Sequence, residues 1–287
     1  MNGSTNFHYS FSVLPREERR AIHIVYEFCR QIDDIVDEGP SVTAEDLRLK
    51  REHLQSWRNK VESYYGSSSP ASAVGSAAEG LSSQLASVIN RYNIPKQYLL
   101  TLIDGCERDL VQRRYKTFDD LKEYCYSVAS VVGLICIEIF GYRREETRQY
   151  AINLGYALQL TNILRDVKQD KDRGYIYIPQ EDLQRFRYTE EDLINEVYDD
   201  RFQRLMAFQV QRARDFYHKA RTMLHPDERL TMVAAEIMDA IYYRLLEKIE
   251  LNDYRVFQRR IKVNTLHKLI TAMRIWIGGK VFVKRLR

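Results

Sequence analysis

Between Leu158 and Asp170 the chain reads LQLTNILRDVKQD, setting Asn162, Asp166 and Asp170 at i, i+4 and i+8. On a helix such residues stack on one face, about 6 Å apart per turn. Gln159 and Arg165 lie close to the same stripe. Hard cations such as Mg²⁺ take oxygen ligands, usually one or two carboxylates completed by water and a substrate phosphate. One amide and two carboxylates beside an arginine therefore suit a metal–diphosphate site. A solvated acidic face is the plainer alternative, but the surrounding Leu, Ile and Val side chains place these carboxylates in a cavity. A second stripe lies in RQIDDIVDEG, where Asp33 and Asp37 are i,i+4, Asp34 is turned about 100° away, and Arg30 is one turn back. Two such carboxylates repel by a few tenths of a kcal/mol, and acids belong at helix N-termini rather than at this C-terminal end. A cation between them turns that cost into binding. Two helices of this kind, facing each other in a bundle, can clamp a diphosphate through metal ions.

The elements that must position them are helical. The 287 residues include only 12 glycines and 6 prolines, and long segments run without either, which argues for an all-α chain in one unit spanning 1–287. The acidic stripe around Asp33 belongs to a helix beginning at Pro15, with Ser12 ahead as a cap, and ending near Gly39-Pro40. A capped polar helix is expected over 41–65, then a small polar loop at 66–80. The stretch 99–110 puts Asp104 and Asp109 near a helix without a clean shared face, so both are lesser site candidates. Residues 121–142 are apolar nearly all round and predict a central helix, whose Ala129, Ser130 and Gly133 permit close approach or leave room for a long ligand. Tyr124 is a buried hydroxyl near its polar end. Tyr26, Tyr124, Tyr175, Tyr177 and Tyr242, among 20 tyrosines, bunch near the acidic motifs and hint at an aromatic-lined pocket. The connection KDRGYIYIPQEDL after Asp170 could cover the site's mouth. Three helices follow, around 201–224, 227–252 and 263–277.

Composition excludes several classes. A net charge of +4 is too mild to imply nucleic acid. Cys29, Cys106, Cys125 and Cys136 lack CxxC spacing and read as reduced, buried thiols of a cytoplasmic protein. The six histidines form no zinc pattern. No apolar run of 18 residues appears, so no spanning segment is expected. Beyond Asp253 the segment 254–287 holds ten Lys and Arg residues and no acid, interleaved with Leu, Ile, Val, Phe and Trp276. That basic amphipathic tail fits peripheral contact with an anionic membrane, and equally a solvated terminal helix.

DDIVD (Asp33–Asp37) and NILRDVKQD (Asn162–Asp170) resemble the two aspartate-rich motifs of the squalene/phytoene synthase family, and YCYSVASVVG (Tyr124–Gly133) and RGYIYIP (Arg173–Pro179) match it too. The resemblance covers essentially the whole chain. The first segment, FHYSFSVLP, and VFQRRIKVNTLHKL near the end look most like bacterial presqualene diphosphate synthases of hopanoid biosynthesis. The resemblance implies an all-α isoprenoid-synthase bundle with a central cavity, and Mg²⁺-dependent head-to-head condensation of two farnesyl diphosphates to presqualene diphosphate. It implies metals on Asp33 and Asp37 and on Asn162, Asp166 and Asp170. Arg30 and Arg165 would hold diphosphate, Tyr124 would sit near the ionising carbon, and Ser4, Phe7, Tyr26, Gln159 and Tyr242 would line the substrate sites. Downstream isoprenoid enzymes would be natural partners. Phytoene, squalene and dehydrosqualene synthases remain open, as does a non-catalytic assembly partner, although all the acids are present. A head-to-tail elongase or terpene cyclase fits the Asn162–Asp166 motif poorly, and no dinucleotide signature is visible. Family members carry a further helical stretch before the segment matching Ser4, and Thr5 stands where some relatives have a basic residue.

Overall fold

The computed structural model describes residues 9–37, 43–65 and 80–285. Ser4, Thr5, Phe7, the stop at Gly39-Pro40 and nearly all of the expected loop at 66–80 lie outside the described residues. The helices that lie wholly within the described residues are, in order, α1 (Arg16–Asp37), α2 (Ala44–Ser63), α3 (Leu81–Tyr92), α4 (Lys96–Arg108), α5 (Phe118–Cys125), α6 (Val131–Phe140), α7 (Glu146–Asp172), α8 (Gln180–Arg185), α9 (Glu190–Ile194), α10 (Asp200–Met223), α11 (Val233–Leu251) and α12 (Thr265–Arg285). Among the described residues there is no strand, only an isolated bridge between Arg114 and Ile176.

α1 buries Ile22, Val25, Phe28, Ile32 and Val36, whose spacing of three and four turns Asp33 and Asp37 away from the core. Its start differs from expectation. Ser12 donates its hydroxyl to the Tyr9 carbonyl at 2.9 Å and so does not cap the helix. α2 opens on a capping box instead, with Thr43 and Asp46 each satisfying the other's backbone N–H.

The expected helix over 121–142 is present but interrupted. Between α5 and α6, Tyr126–Ser130 form one π-helical turn, which bulges the chain just after Tyr124. Such turns recur at functional sites. By length and apolarity the span Phe118–Phe140 could cross a bilayer, although no uninterrupted run announces it; 56% of its most apolar stretch is buried in the bundle, so it serves as a core helix. The small residues here serve close approach. A Cβ on Gly155 of α7 would lie 2.4 Å from Ser130 Cα, and one on Gly105 of α4 would lie 2.6 Å from Ser127 Cβ. Ser130 Oγ closes the contact by donating to the Ile152 carbonyl at 2.8 Å. Two neighbouring helices thus press directly on the bulge.

α7 is the hub. Its 27 residues touch α10, α11, α6 and the π turn along their length, with Leu154, Ala157, Leu160, Leu164 and Val167 buried. The basic C-terminal segment is not detached either. α12 packs on α11, and the stretch before it folds back toward α7.

Candidate active site

Five carboxylates from three elements gather at one end of the bundle. Asp33 and Asp37 come from the last turn of α1, Asp166 and Asp170 from the last third of α7, and Asp109 from the residue just past α4. Asp33 Oδ1 accepts from the Cys106 thiol at 3.3 Å. Burial pushes the Asp33 carboxyl up to about 6; the thiol opposes the rise, and the charges of Asp37 and Asp34 add to it. Asp109 accepts the Tyr124 hydroxyl on Oδ2 at 2.7 Å and the Tyr177 hydroxyl on Oδ1 at 3.5 Å, while Tyr175 donates to its backbone carbonyl at 2.8 Å. Burial lifts Asp109 to about 7, with Asp37 and Asp33 contributing against the tyrosine bonds. Asp170 is pushed furthest, to about 8, first by burial and then by Asp166 and Asp109, against the pull of Arg173 and Arg165. Asp109 is thus raised by the acids of α1 and in turn raises Asp170 of α7, linking the two stripes electrostatically.

Three arginines balance this charge. Asp166 is gripped from both sides: by Arg165, whose Nε donates at 2.8 Å, and by Arg260, whose Nε and terminal nitrogen donate at 2.7 and 2.9 Å. Burial alone would raise the Asp166 carboxyl, but the two guanidinium forks hold it below the usual carboxylate range. Arg173 bonds Asp37 across the gap between α7 and α1. The backbone reaches that gap through Gly174 at φ 86°, a left-handed conformation that glycine adopts without strain. Lys268 of α12 is buried close by; desolvation, then the charges of Arg165 and Lys262, lower its pKa.

Tyrosines form the apolar wall. Tyr124 stacks on Tyr177 at 5.4 Å, Tyr177 on Tyr175 at 5.9 Å, and Tyr115 packs against both Tyr124 and Tyr177. The connection after Asp170 therefore lies against the acids, as the sequence suggested. Of the other expected residues, Asn162 donates to Gln159 Oε1 at 3.4 Å, and its own Oδ1 is buried without a partner. Tyr242 stands beside Arg165, and Tyr26 near Asp33. Arg30 is placed differently: its guanidinium pairs with Asp34 at 3.4 Å and is 57% exposed. Asp34 completes an i,i+4 pair with Arg30 that Asp33 cannot.

Sequence reading ranked Asp104 and Asp109 together, and the structure separates them. Asp104 bonds Arg58 at 2.6 Å on the outer face. Asp109, bonded by Tyr124 and Tyr177, belongs to the site, as do Arg173 through Asp37 and Arg260 through Asp166. The signal available for Arg260 was the basic run after Asp253, which carries no periodicity pointing inward.

No three acids, histidines or thiols among the described residues converge closely enough to hold an ion by themselves. The donor set still has the chemistry of a hard cation. Its members are carboxylate and amide oxygens, one of them the orphaned Asn162 Oδ1, and three carboxyls are pushed upward by burial and mutual repulsion that a divalent ion would relieve. Arginine forks beside them are suited to phosphate oxygens.

Comparison with known proteins agrees in extent and kind. The family model described as squalene/phytoene synthase matches residues 1–267. The chain is 38% identical over 280 residues to phytoene synthase of Arthrospira platensis, covering 92% of this chain and 85% of that protein. To the 15-cis-phytoene synthase of Synechococcus elongatus it is 36% identical over 278 residues, with the same coverages of 92% and 85%. A crystal structure of a dehydrosqualene synthase superposes with a TM-score of 0.78 at 25% identity, covering 97% of this chain and 93% of that one. Squalene synthase HpnC from Alicyclobacillus acidocaldarius gives 0.71 at 26% identity, over 87% and 89%.

Proposed function

Because the chain belongs to the squalene/phytoene synthase family, whose chemistry is head-to-head condensation of two isoprenyl diphosphates, we propose that the acidic patch binds both diphosphates and ionises one of them. The observation that carries this is the convergence of Asp33, Asp37, Asp109, Asp166 and Asp170 with Arg165, Arg173 and Arg260 at the end of a tyrosine-walled bundle. Asp33 and Asp37 hold Mg²⁺ on one side; Asn162, Asp166 and Asp170 hold it on the other. When bound, the metal neutralises the departing diphosphate. Arg165, with Arg173 and Arg260, meets diphosphate oxygens, a task that the exposed Arg30 shares only if it leaves Asp34. Tyr26, Gln159 and Tyr242 line the substrate sites, and Ser4 and Phe7 are assigned there by resemblance. Tyr124 and its stacked neighbours present apolar ring faces that exclude water from the allylic cation. The second isoprenyl double bond attacks that cation, and loss of a proton closes a cyclopropane.

For chain length the relatives favour geranylgeranyl diphosphate and phytoene, since the phytoene synthases cited above share 36–38% of their residues with this chain. Presqualene diphosphate from farnesyl diphosphate, the product expected from the first and last segments, is the second reading; the likeness to squalene synthase HpnC supports it. Purified protein incubated with Mg²⁺ and each diphosphate in turn decides by mass spectrometry. Phytoene from the twenty-carbon substrate supports the first reading. A phosphorylated thirty-carbon species unchanged by NADPH restores the second, squalene appearing only with NADPH points to squalene synthase, and no coupling of either substrate leaves the assembly-partner reading. The basic segment 254–287 brings the enzyme to an anionic membrane, where such apolar products partition.

A further inference from the structure

α12 turns an apolar edge outward. Leu266, Leu269, Ile270, Met273 and Ile277 recur at intervals of three and four, and each leaves between 41% and 65% of its surface exposed. At 100° per residue they fall within about 100° of arc. The opposite side of the same helix is seated, with Lys268 and Ala272 buried and Ile275 packed on the core, and Trp276 packs on the core at the edge of the stripe. A docked helix whose outer face is apolar marks an interaction surface.

Charge identifies what covers it. Ten bases and no acid follow Asp253. Arg260 turns inward to Asp166 and Lys268 is buried, whereas Arg274 on α12 and Arg259 and Lys262 in the stretch before it are exposed. Two copies meeting through this face would set like charges against each other. An anionic bilayer accepts both features at once, headgroups meeting the bases while the stripe enters the headgroup–acyl boundary. We infer that α12 is an interfacial anchor that lies in the plane of an anionic membrane with Leu266, Leu269, Ile270, Met273 and Ile277 inserted. This rests on the reading of the basic segment as membrane-directed and adds that the apolar stripe does the holding.

Co-sedimentation tests the two ideas separately. The whole protein is mixed with vesicles of phosphatidylglycerol and phosphatidylcholine, or of phosphatidylcholine alone, beside a Leu269→Asn/Met273→Asn variant that keeps every base. The wild type is expected on the anionic vesicles. The variant is expected to bind them at least about tenfold more weakly, from the apolar area lost, with native circular dichroism and unchanged turnover in detergent. Ile277→Asn, run in parallel, is expected to show the same direction should the double variant misfold. Equal binding of folded variants and wild type overturns the anchor while leaving the charge attraction standing. No wild-type binding to anionic vesicles overturns both. A wild-type dimer that the substitutions split, without any effect on vesicle binding, assigns the stripe to a second copy and also overturns the anchor.

Discussion

The Tyr124 hydroxyl donates to Asp109 Oδ2 at 2.7 Å, joining a residue just ahead of the π turn to one just past the end of α4. The bond fixes the carboxyl that links the two acidic helices, and Tyr177, stacked on Tyr124 at 5.4 Å, closes the other side. Tyr124 thereby acts through Asp109 as well as through its ring face.

Removing the donor tests this. Tyr124→Phe keeps the ring and leaves a buried carboxyl without its best partner. It is expected to weaken Mg²⁺-dependent turnover by roughly 10–100-fold, the usual cost of losing a group that orients a ligand. Asp109→Asn is expected to cost at least as much. Mg²⁺ titrations of turnover, alongside circular dichroism, give the answer; unchanged Mg²⁺ dependence in both variants would remove Asp109 from the site.

The acids differ in what they do for the metal-free fold. Asp33, Asp109 and Asp170 are raised first by burial and then by neighbouring carboxylates, so Asn at any of them removes a desolvated, repelled charge and is expected to raise the melting temperature while sharply lowering turnover. Asp166 is the counter-ion of Arg165 and Arg260. Asp166→Asn strands two guanidinium groups and is expected to destabilise by about 3 kcal/mol, besides abolishing turnover. Thermal melts without Mg²⁺ should show the opposite signs, and a common sign would refute the charge assignment.

The same three carboxyls set a pH dependence. Folded, they titrate at about 6, 7 and 8, against 3.8 for an unperturbed aspartate. Between those limits the folded chain binds more protons than the unfolded one. Their contribution to stability is therefore full below pH 3.8 and is lost as pH rises through 8. The metal-free protein is expected to melt at a lower temperature at pH 8.5 than at pH 6. Mg²⁺, which needs the ionised carboxylates, should stabilise more at the higher pH. Melting curves at both pH values, with and without Mg²⁺, measure it.

Packing against the π turn gives a structural prediction. A Gly155→Ala methyl would meet Ser130 backbone atoms at 2.4 and 2.6 Å, which no side-chain rotation relieves. The cost is expected to be about 3 kcal/mol or more. Gly278 has nothing within 4 Å of its added Cβ, and Gly278→Ala should stabilise by up to about 1 kcal/mol. Chemical denaturation of the two variants compares them directly.

Periodicity made α1 and α7 legible, because carboxylates at i,i+4 within an apolar helix announce both the helix and its polar stripe. It failed where the chain leaves regular geometry. Asp109 is the first residue past α4, so no helical partner flags it, and Asp104, equally acidic, pairs outward with Arg58. The π turn at Tyr126–Ser130 reads YSVAS, with no glycine or proline to break it, so the sequence reads as one unbroken helix. Ser12 has the chemistry of a cap, but its hydroxyl is taken by the Tyr9 carbonyl.

Arg260 shows the same limit at longer range. It lies 94 residues from Asp166 in sequence, in the irregular stretch between α11 and α12, yet makes two hydrogen bonds to that carboxylate. A fork of this geometry can pass from carboxylate to diphosphate without changing shape, whereas a lysine offers a point charge. Arg260→Lys is therefore expected to raise the substrate KM by about tenfold, one well-placed charged hydrogen bond, with a smaller change in kcat. Arg260→Ala should lose more and should also lower stability, since Asp166 then keeps only Arg165. Steady-state kinetics on the two variants separate geometry from charge. Full activity in Arg260→Lys would mean that charge alone suffices, and full activity in Arg260→Ala would leave Arg260 only a structural partner of Asp166.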